Sequence, residues 1–348
     1  MSANRTLLID AAYLLKRSMS GAKDVHTDKF GHIGGLYQFL TKIRQLIKKH
    51  KSNKVILFWD SETGGIFRHR LDNNYKSNRP NKVWSKIVLT DAEIRREKLK
   101  HESTLKQKKR IQSYAEELYF RQIEVDDIEA DDMISYYIQK YHLKEDIVLY
   151  TMDRDFVQLL KYDIGIQFDN IDEVVRKYNF HAYFEYHYSN SLPMKIICGD
   201  TADGIVGVGG VGLETLSEHF PDFKFKPYSV NEIRKYSILH NEERVKNKKK
   251  PLKSLTNISN NVDRLKLNFE LVNLEKPMLT DQAIEELEQL DLPLSPDGRS
   301  SSTLYNYMVQ DDYLSIYGNT FPNYVEPFYT VIMNEKDIYN RFLLENKL

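Results

Sequence analysis

The chain has 348 residues, of which 41% are hydrophobic and 29% are charged, and its 50 basic and 50 acidic side chains give a formal net charge of zero. This composition is typical of a globular protein, and no run approaches the ~18 consecutive apolar residues that a transmembrane helix needs. The N-terminal residues lack the pattern of a signal peptide. The single cysteine, Cys198, excludes an internal disulfide and a cysteine zinc site, so a reducing cytoplasm is expected.

The first half of the chain alternates between predicted strands and predicted helices. Three short apolar runs, TLLID at 6–10, KVILFWD at 54–60 and DIVLYTMD at 146–153, each end in aspartate. Between them, residues 33–50 and 128–142 carry apolar residues at three-to-four spacing, which predicts helices. This alternation predicts an α/β fold with a mainly parallel central sheet flanked by helices.

The three aspartates that end these runs, Asp10, Asp60 and Asp153, are candidates for one shared site. Parallel sheets bind ligands at the carboxyl ends of their strands, so the three side chains are expected to face one crevice. The alternative for each aspartate is a helix cap or a turn residue. Three strands with the same ending favour the shared site.

Charge is separated along the chain although the net charge is zero. Residues 76–110 hold twelve Lys or Arg against four Asp or Glu, and a second basic run, RVKNKKKPLK, spans 244–253. The segment 76–112 is too polar for a core element, so we expect a helical or mobile arch inserted in an α/β core of residues 1–190. After this core the strand signals fade, which predicts a mostly helical C-terminal region, residues 191–348.

Acidic residues gather in VDDIEADD at 125–132, DRD at 153–155 and GDTADG at 199–204. Two like charges ~4 Å apart repel by about 4 kcal/mol at an effective dielectric of ~20, and a helix N-terminus offsets only about 0.3–1 kcal/mol per carboxylate. On a helix that begins near Glu129, this residue and Asp132 share one face. Hard oxygen ligands in such numbers are typical of Mg²⁺ or Mn²⁺ sites. Two such ions ~4 Å apart would stabilise the attacking and leaving oxygens of a phosphoryl transfer.

Taken in order, these motifs resemble the five acidic motifs of the 5′-nuclease family. That family includes flap endonucleases, the exonuclease domains of bacterial DNA polymerases, and phage 5′→3′ exonucleases and ribonucleases H. The matching stretches are LLID, LFWD, IEADD, TMDRDFVQLL and ICGDTADGIVGVGGVG, and the resemblance runs from residue 5 to about residue 220. It implies two Mg²⁺ ions, for which Mn²⁺ is a substitute. The implied metal-binding acids are Asp10, Asp60, Glu129 and Asp131 for the catalytic ion, Asp155, Asp200 and Asp203 for the second ion, Asp153 between them, and Asp132.

The stretch FRHRLDNNYKSNRP at 67–80 resembles the base of the family's arch. Arg68, Lys76 and Arg79 match its basic positions, and Tyr75 matches its aromatic position. The resemblance implies that Lys76 stabilises charge developing on a phosphate and that Tyr75 stacks on a base, a contact worth ~1–3 kcal/mol. The alternative is a solvated basic loop with a packed tyrosine.

The stretch GVGGVG at 207–212 fits a dinucleotide-binding pattern, but such a site requires a preceding strand, and the preceding residues predict a helix and an acidic turn. In the family this region is a helix–turn–helix, here about 192–220, whose backbone amides bind duplex phosphates, together with a monovalent cation. Glycine permits the close approach. The glycines implied in this contact are Gly207, Gly209, Gly210 and Gly212.

One position of the helix–turn–helix departs from the family, because Glu214 stands where many relatives carry lysine. The cluster of Lys248, Lys249 and Lys250 is a candidate for the missing positive charge, and a plain surface loop is the alternative.

The resemblance implies a structure-specific 5′ nuclease that removes 5′ flaps or RNA primers from duplex DNA, including DNA–RNA hybrids, during phage replication. We expect a monomer, and a single-strand-binding protein or a sliding clamp as a partner. Two alternatives are a non-catalytic factor that binds DNA junctions and a PIN-like ribonuclease. The complete acidic set disfavours the first, and the helix–turn–helix and basic arch disfavour the second.

Overall fold

The computed structural model describes residues 4–22, 24–80, 82–318 and 320–346. Residue 81 of the predicted arch lies outside these ranges. So do residues 1–3 and 23 of the predicted core and residues 319, 347 and 348 of the predicted C-terminal region. The strands are β1 (Asn4–Asp10), β2 (His26–Thr27), β3 (Gly31–His32), β4 (Lys54–Phe58), β5 (Arg121–Ile123), β6 (Glu145–Thr151), β7 (Gly165–Phe168), β8 (Gly199–Asp200) and β9 (Ile205–Val206).

The α-helices are α1 (Ala11–Gly21), α2 (Gly34–His50), α3 (Ile66–Leu71), α4 (Asp91–Glu117), α5 (Ala130–Tyr141), α6 (Ser191–Cys198), α7 (Leu213–His219), α8 (Val230–Lys246), α9 (Lys253–Asn260), α10 (Val262–Val272), α11 (Asp281–Glu288), α12 (Ser301–Gln310), α13 (Tyr313–Tyr317), α14 (Phe321–Val325) and α15 (Tyr329–Asn346). Short 3₁₀ segments lie between some of them. No helix in the described ranges is both long enough and apolar enough to cross a membrane.

The central sheet has the strand order β5-β4-β1-β6-β7, and all its neighbouring strands are parallel. The predicted α/β fold with a parallel sheet is therefore confirmed. The chain leaves β1 toward β4 on one side and returns to β6 on the other, so the strand order reverses beside β1. This switch point, at the carboxyl end of β1, is where open α/β sheets bind ligands.

Two of the predicted strands end earlier than the sequence suggested. Strand β4 ends at Phe58 and β6 ends at Thr151, so Asp60 and Asp153 each lie two residues beyond the last paired residue. Of the three aspartates Asp10, Asp60 and Asp153, only Asp10 is the final residue of its strand. The sheet also contains β5 and β7, with three and four residues, which the sequence analysis did not predict.

Both faces of the sheet are covered, as the apolar strands require. In β1, Leu7 and Ile9 belong to an apolar cluster with α1 and α2, whereas Leu8 belongs to the cluster with α5 on the opposite face. The alternation follows from the two-residue period of a strand. Side chains from 191–290 join the cluster that contains Leu8, and side chains from 304–332 join the cluster that contains Leu7 and Ile9. The C-terminal region therefore packs against both faces of the sheet.

Part of the predicted arch is a long helix that returns to the core. Helix α4 begins with a capping box, in which Thr90 and Glu93 bond to each other's backbone N–H. Its first sixteen residues are mostly exposed, but Gln107 and Ile111 are fully buried. The expectation that all of 76–112 lies outside the core is therefore wrong for its last turns, where two buried side chains were masked by surrounding Lys and Arg.

Candidate active site

Three carboxylates meet at the carboxyl end of the sheet, and each is held there by backbone or hydroxyl donors. Asp10 accepts hydrogen bonds from the Tyr13 N–H at 3.0 Å and from the Thr151 hydroxyl at 3.0 Å. Asp60 accepts one from the N–H of Ala130 at 2.8 Å. Asp153 caps the 3₁₀ segment Arg154–Tyr162. The interpretation of these aspartates as cap or turn residues fits these contacts, and a site that they share stays a prediction.

Burial and repulsion from neighbouring carboxylates disfavour the charge of Asp10 and Asp131. Burial, together with the neighbouring Asp60 and Asp153, raises the pKa of Asp10 to about 7. Burial and the charge of Asp153 raise the pKa of Asp131 well above its usual range. Burial is the largest cause of both pKa shifts and repulsion from neighbouring carboxylates adds to it, so a nearby positive charge would favour the ionised form of Asp10 and Asp131.

The donor set fits a hard divalent cation, because carboxylate oxygens from several segments lie close together at one edge of the sheet, although of Asp10, Asp60, Asp131 and Asp153 only Asp10 is buried. Asp10, Asp60, Asp131 and Asp153 have no ion pair within the described part of the chain. The side chains are not yet arranged around one point, since the described ranges contain no group of three or more His, Cys, Asp or Glu that could hold a metal ion. The chemistry of the residues therefore suits the ion, and ligation requires rotation of side chains.

The acids assigned to a second ion are paired with basic side chains of the chain itself. Lys195 of α6 contacts Asp155 and lies 2.8 Å from an oxygen of Asp200. Arg79 forms an ion pair with Asp203. Burial disfavours the positive charge of Lys195, but Asp155 and its acidic neighbours outweigh this effect and raise the lysine pKa well above its usual range.

Glu129 joins the acidic site to a buried network of bases. Its carboxylate contacts Lys76, lies 2.7 Å from Arg68 and accepts a hydrogen bond of 3.0 Å from the hydroxyl of Tyr75. Burial disfavours its charge, but Lys76 and Arg68 outweigh burial and hold the pKa of Glu129 below its usual range. Lys76 is therefore near the acids, as predicted, but is buried and paired, and its backbone has φ of 50°.

Three assignments from the sequence need correction. Arg68 is buried between Glu129 and Asp132, at 2.5 and 2.8 Å from the two oxygens of the latter, so its guanidinium does not face solvent where a phosphate would lie. Asp132 is occupied by this pair and by the N–H of Met278, so its oxygens are already bonded within the protein. Tyr75 is 4% exposed, so it cannot stack on a base.

A small cavity confirms that acids from distant segments converge. Its volume is about 10 Å³, and its lining includes Asp131, Asp155, Asp203, Arg68 and Tyr75. A space of this size holds about one water molecule. Asp131, Asp155 and Asp203 therefore lie around a small interior space, whereas Asp60 is exposed.

The glycine-rich loop lies between α6 and α7, after the hairpin of β8 and β9. Its valines, Val208 and Val211, are buried and anchor it. A Cβ on Gly207 would lie 2.1 Å from the carbonyl oxygen of Cys198, so this glycine serves packing, in contrast to the predicted DNA contact. The other three glycines of the motif face open space, and Gly210 has φ of 74°.

The lysines at 248–250 are exposed in the loop between α8 and α9. From α9, Asn257 donates a hydrogen bond of 2.7 Å to the carbonyl of Gly209, which ties this helical pair to the glycine-rich loop. Glu214 is exposed in the first turn of α7. These contacts do not test whether the lysines at 248–250 bind DNA, so that role stays a prediction.

The sequence analysis missed Lys195. The signal was available: SLPMKIIC is an apolar helix with one charged residue, five positions before Asp200. A lone charge in an apolar helix indicates a buried partner.

Comparisons with known proteins agree with this architecture. Residues 5–186, more than half of the chain, match the family described as 5′-3′ exonuclease, N-terminal resolvase-like domain. The chain is 22% identical over 298 residues to a 5′-3′ exonuclease of Mycoplasmopsis pulmonis, covering 83% of this chain and 91% of that protein. It is 27% identical over 248 residues to a 5′-3′ exonuclease of Halalkalibacterium halodurans, covering 64% and 76%.

A solved complex of the bacteriophage T5 flap endonuclease with DNA and metal ions has the same fold, with a TM-score of 0.61, 18% identity, and coverage of 91% of this chain and 100% of that chain. Human GEN1 bound to Holliday junction DNA is also similar, with a TM-score of 0.52, 11% identity, and coverage of 98% and 75%. The family match, the parallel sheet and the acids at its carboxyl edge together show that this chain belongs to the 5′-3′ exonuclease family.

Proposed function

We propose that the chain is a Mg²⁺-dependent, structure-specific 5′ nuclease that cleaves phosphodiesters at 5′ flaps or RNA primers on duplex DNA. The observation that carries the proposal is the group of carboxylates at the strand ends, which have no ion pair among the described residues and lie beside the basic segment 76–112. A protein that only bound a polyanion would gain nothing from this charge. In the solved T5 complex a related fold holds DNA and metal ions together.

The residues would divide the work as follows. Asp10, Asp60, Glu129 and Asp131 would hold the first ion, and Asp155, Asp200 and Asp203 the second, with Asp153 between them. Bound divalent ions supply the charge stabilisation and the activated water that phosphodiester hydrolysis requires. Mn²⁺ is expected to substitute for Mg²⁺.

The bases near the acids have a separate task. Arg79, with a side chain 41% exposed, is placed to swing from Asp203 to a phosphate. Lys76 is buried against Glu129 and would keep that carboxylate ionised and oriented toward the ion. Charge that develops on the phosphate would then meet Arg79 first and Lys76 behind it.

Duplex binding is proposed for the loop at 207–212 and the start of α7. Gly209, Gly210 and Gly212 expose backbone without a side chain, and a helix N-terminus favours phosphate. A monovalent cation bound in this loop, and a single-strand-binding protein or sliding clamp as partner, remain predictions from the family. The proposed setting is DNA replication in the cytoplasm.

A single digest separates the candidate functions. The protein is incubated with a 5′-labelled flap and with single-stranded RNA, with Mg²⁺ or with EDTA. Cleavage of the flap alone, and only with Mg²⁺, supports the proposal; cleavage of the RNA alone indicates a PIN-like ribonuclease. Binding of the flap without cleavage indicates a junction-binding factor. The same digest is run on Asp155→Asn, which removes a proposed ligand of the second ion. Its matched control is Asp146→Asn, which removes an exposed carboxylate paired with Arg176 on the surface.

A further inference from the structure

The ammonium group of Lys195 lies between two of the acids that the proposed function assigns to a second ion. It contacts Asp155 and lies 2.8 Å from Asp200, and its side chain is only 13% exposed. Lys195 is also the only charged residue of α6. Helix α6 therefore contributes one positive charge, and no other charged side chain, to the acidic site.

The two groups of acids differ in how they are neutralised. Asp155 and Asp200 share Lys195, and Asp203 has Arg79. In the first group, Asp10 and Asp131 have no basic partner within 4.0 Å in the described part of the chain. Glu129 of the first group is paired with Lys76 and Arg68. The first group thus still contains acids without a basic partner, whereas every acid of the second group has one.

An ammonium group and a divalent ion cannot occupy the same pair of carboxylates. A dication that ligates Asp155 and Asp200 must first displace Lys195, and it would then remain close to a like charge. The flexible four-carbon stem of lysine allows the ammonium to move, which a shorter or planar group would not do as readily. The second ion must therefore bind more weakly than the carboxylates alone would allow.

We propose that Lys195 is a built-in cation of the second acidic group, so that the protein binds one divalent ion tightly and a second only after the ammonium leaves Asp155 and Asp200. This inference rests on the metal sites of the proposed function and deepens them. In the absence of a second ion, Lys195 holds Asp155 and Asp200 close together by pairing with both. Occupancy of the second site then depends on the concentration of the divalent ion over a range in which the first site is already full.

The test is a titration of the metal-free protein with Mn²⁺, in which the electron paramagnetic resonance signal of the free ion gives the number of sites and each Kd. Wild type should show one tight and one weak site. Lys195→Met should tighten the weak site by roughly tenfold to a hundredfold, the effect expected at the dielectric constant of water from removing a unit charge ~4 Å from a dication. Lys195→Arg, which keeps the charge, should not tighten it.

The matched control is Lys140→Met, which removes a lysine that is ion-paired with Glu288 on the surface, and it should leave both constants unchanged. An unchanged weak site in Lys195→Met would overturn the inference. Binding of no Mn²⁺ at either site would remove the metal assignment itself. The flap digest tells these failures apart, because an active enzyme with an unchanged weak site contradicts only the role of Lys195.

A second measurement avoids mutation, in case the Met variant does not fold. Wild-type protein is treated with an amine-acylating reagent at rising Mn²⁺, and modification of Lys195 is followed by mass spectrometry. Labelling should be slow at low Mn²⁺ and should rise as the weak site fills, because the displaced ammonium becomes accessible. Labelling that stays constant while both sites fill would overturn the inference.

Discussion

Replacing Arg68 with methionine separates the structural role seen here from the DNA contact predicted by sequence. The guanidinium donates hydrogen bonds to Glu129 at 2.7 Å, to both oxygens of Asp132 at 2.5 and 2.8 Å, and to the carbonyl of Leu271 at 2.8 Å. All three charged side chains are at most 4% exposed. Removing one partner of such a buried pair leaves an uncompensated charge, which costs about 3–5 kcal/mol.

The assay is urea unfolding at pH 7, followed by circular dichroism. Arg68→Met should lose about 3–5 kcal/mol of unfolding free energy. The control is Arg264→Met, whose arginine lies 3.3 Å from Asp72 and is one-third exposed, so it should lose no more than about 1 kcal/mol. A loss below about 1 kcal/mol for Arg68→Met would refute the buried-network argument.

Duplex binding by the Arg68→Met variant gives an independent check. A phosphate contact contributes about one unit to the slope of log K against log salt. The buried position predicts an unchanged slope, measured by fluorescence anisotropy at several salt concentrations. A slope reduced by about one unit would restore the sequence-based assignment of Arg68 to DNA binding.

The remaining predictions concern the site, the lysine cluster and the arch. Asp155→Asn should nearly abolish flap cleavage while DNA binding stays equal or tightens, because one negative charge facing a polyanion is removed; wild-type turnover would contradict the metal assignment. Changing the lysines at 248–250 to alanine should flatten the salt dependence of duplex binding, and an unchanged slope would make the cluster a plain surface loop. Trypsin should cut free protein mainly within 86–100, the exposed part of the arch, and a 5′ flap with Ca²⁺ should protect it more than blunt duplex does. Equal protection by both DNAs would contradict an arch that encloses a single strand.

The fold was predictable where the sequence pattern is long and periodic. The strands β1, β4 and β6 are apolar runs with abrupt acidic ends, and α2 and α5 have clear three-to-four spacing, so all five elements were predicted. The sheet's outer strands gave no such signal, because three or four residues are too few to show a period.

The acidic site was predictable in composition and not in pairing. Asp10, Asp60 and Asp153 were grouped because each ends a predicted strand, and Asp131 was added through the family resemblance. The burial of Arg68 was not foreseen, since its partner Asp132 lies 64 positions away in sequence. In a basic stretch, a buried arginine and a solvated one look the same until the long-range partner is known.

The dense charge of residues 125–132 illustrates how the chain divides its carboxylates. Arg68 neutralises Glu129 and Asp132 in the interior, and the two acids nearest the start of the stretch lie at least partly at the surface. Among the carboxylates of this stretch, that leaves Asp131, which is partly buried and has no ion pair in the described ranges, and its pKa is raised by burial and by Asp153. Because its neighbours are already compensated, repulsion in the stretch is concentrated on the one carboxylate that faces the acids from the strand ends. A divalent ion would relieve this repulsion at Asp131 more than anywhere else in the stretch. The position of Asp131 therefore favours cation binding at the carboxyl edge of the sheet.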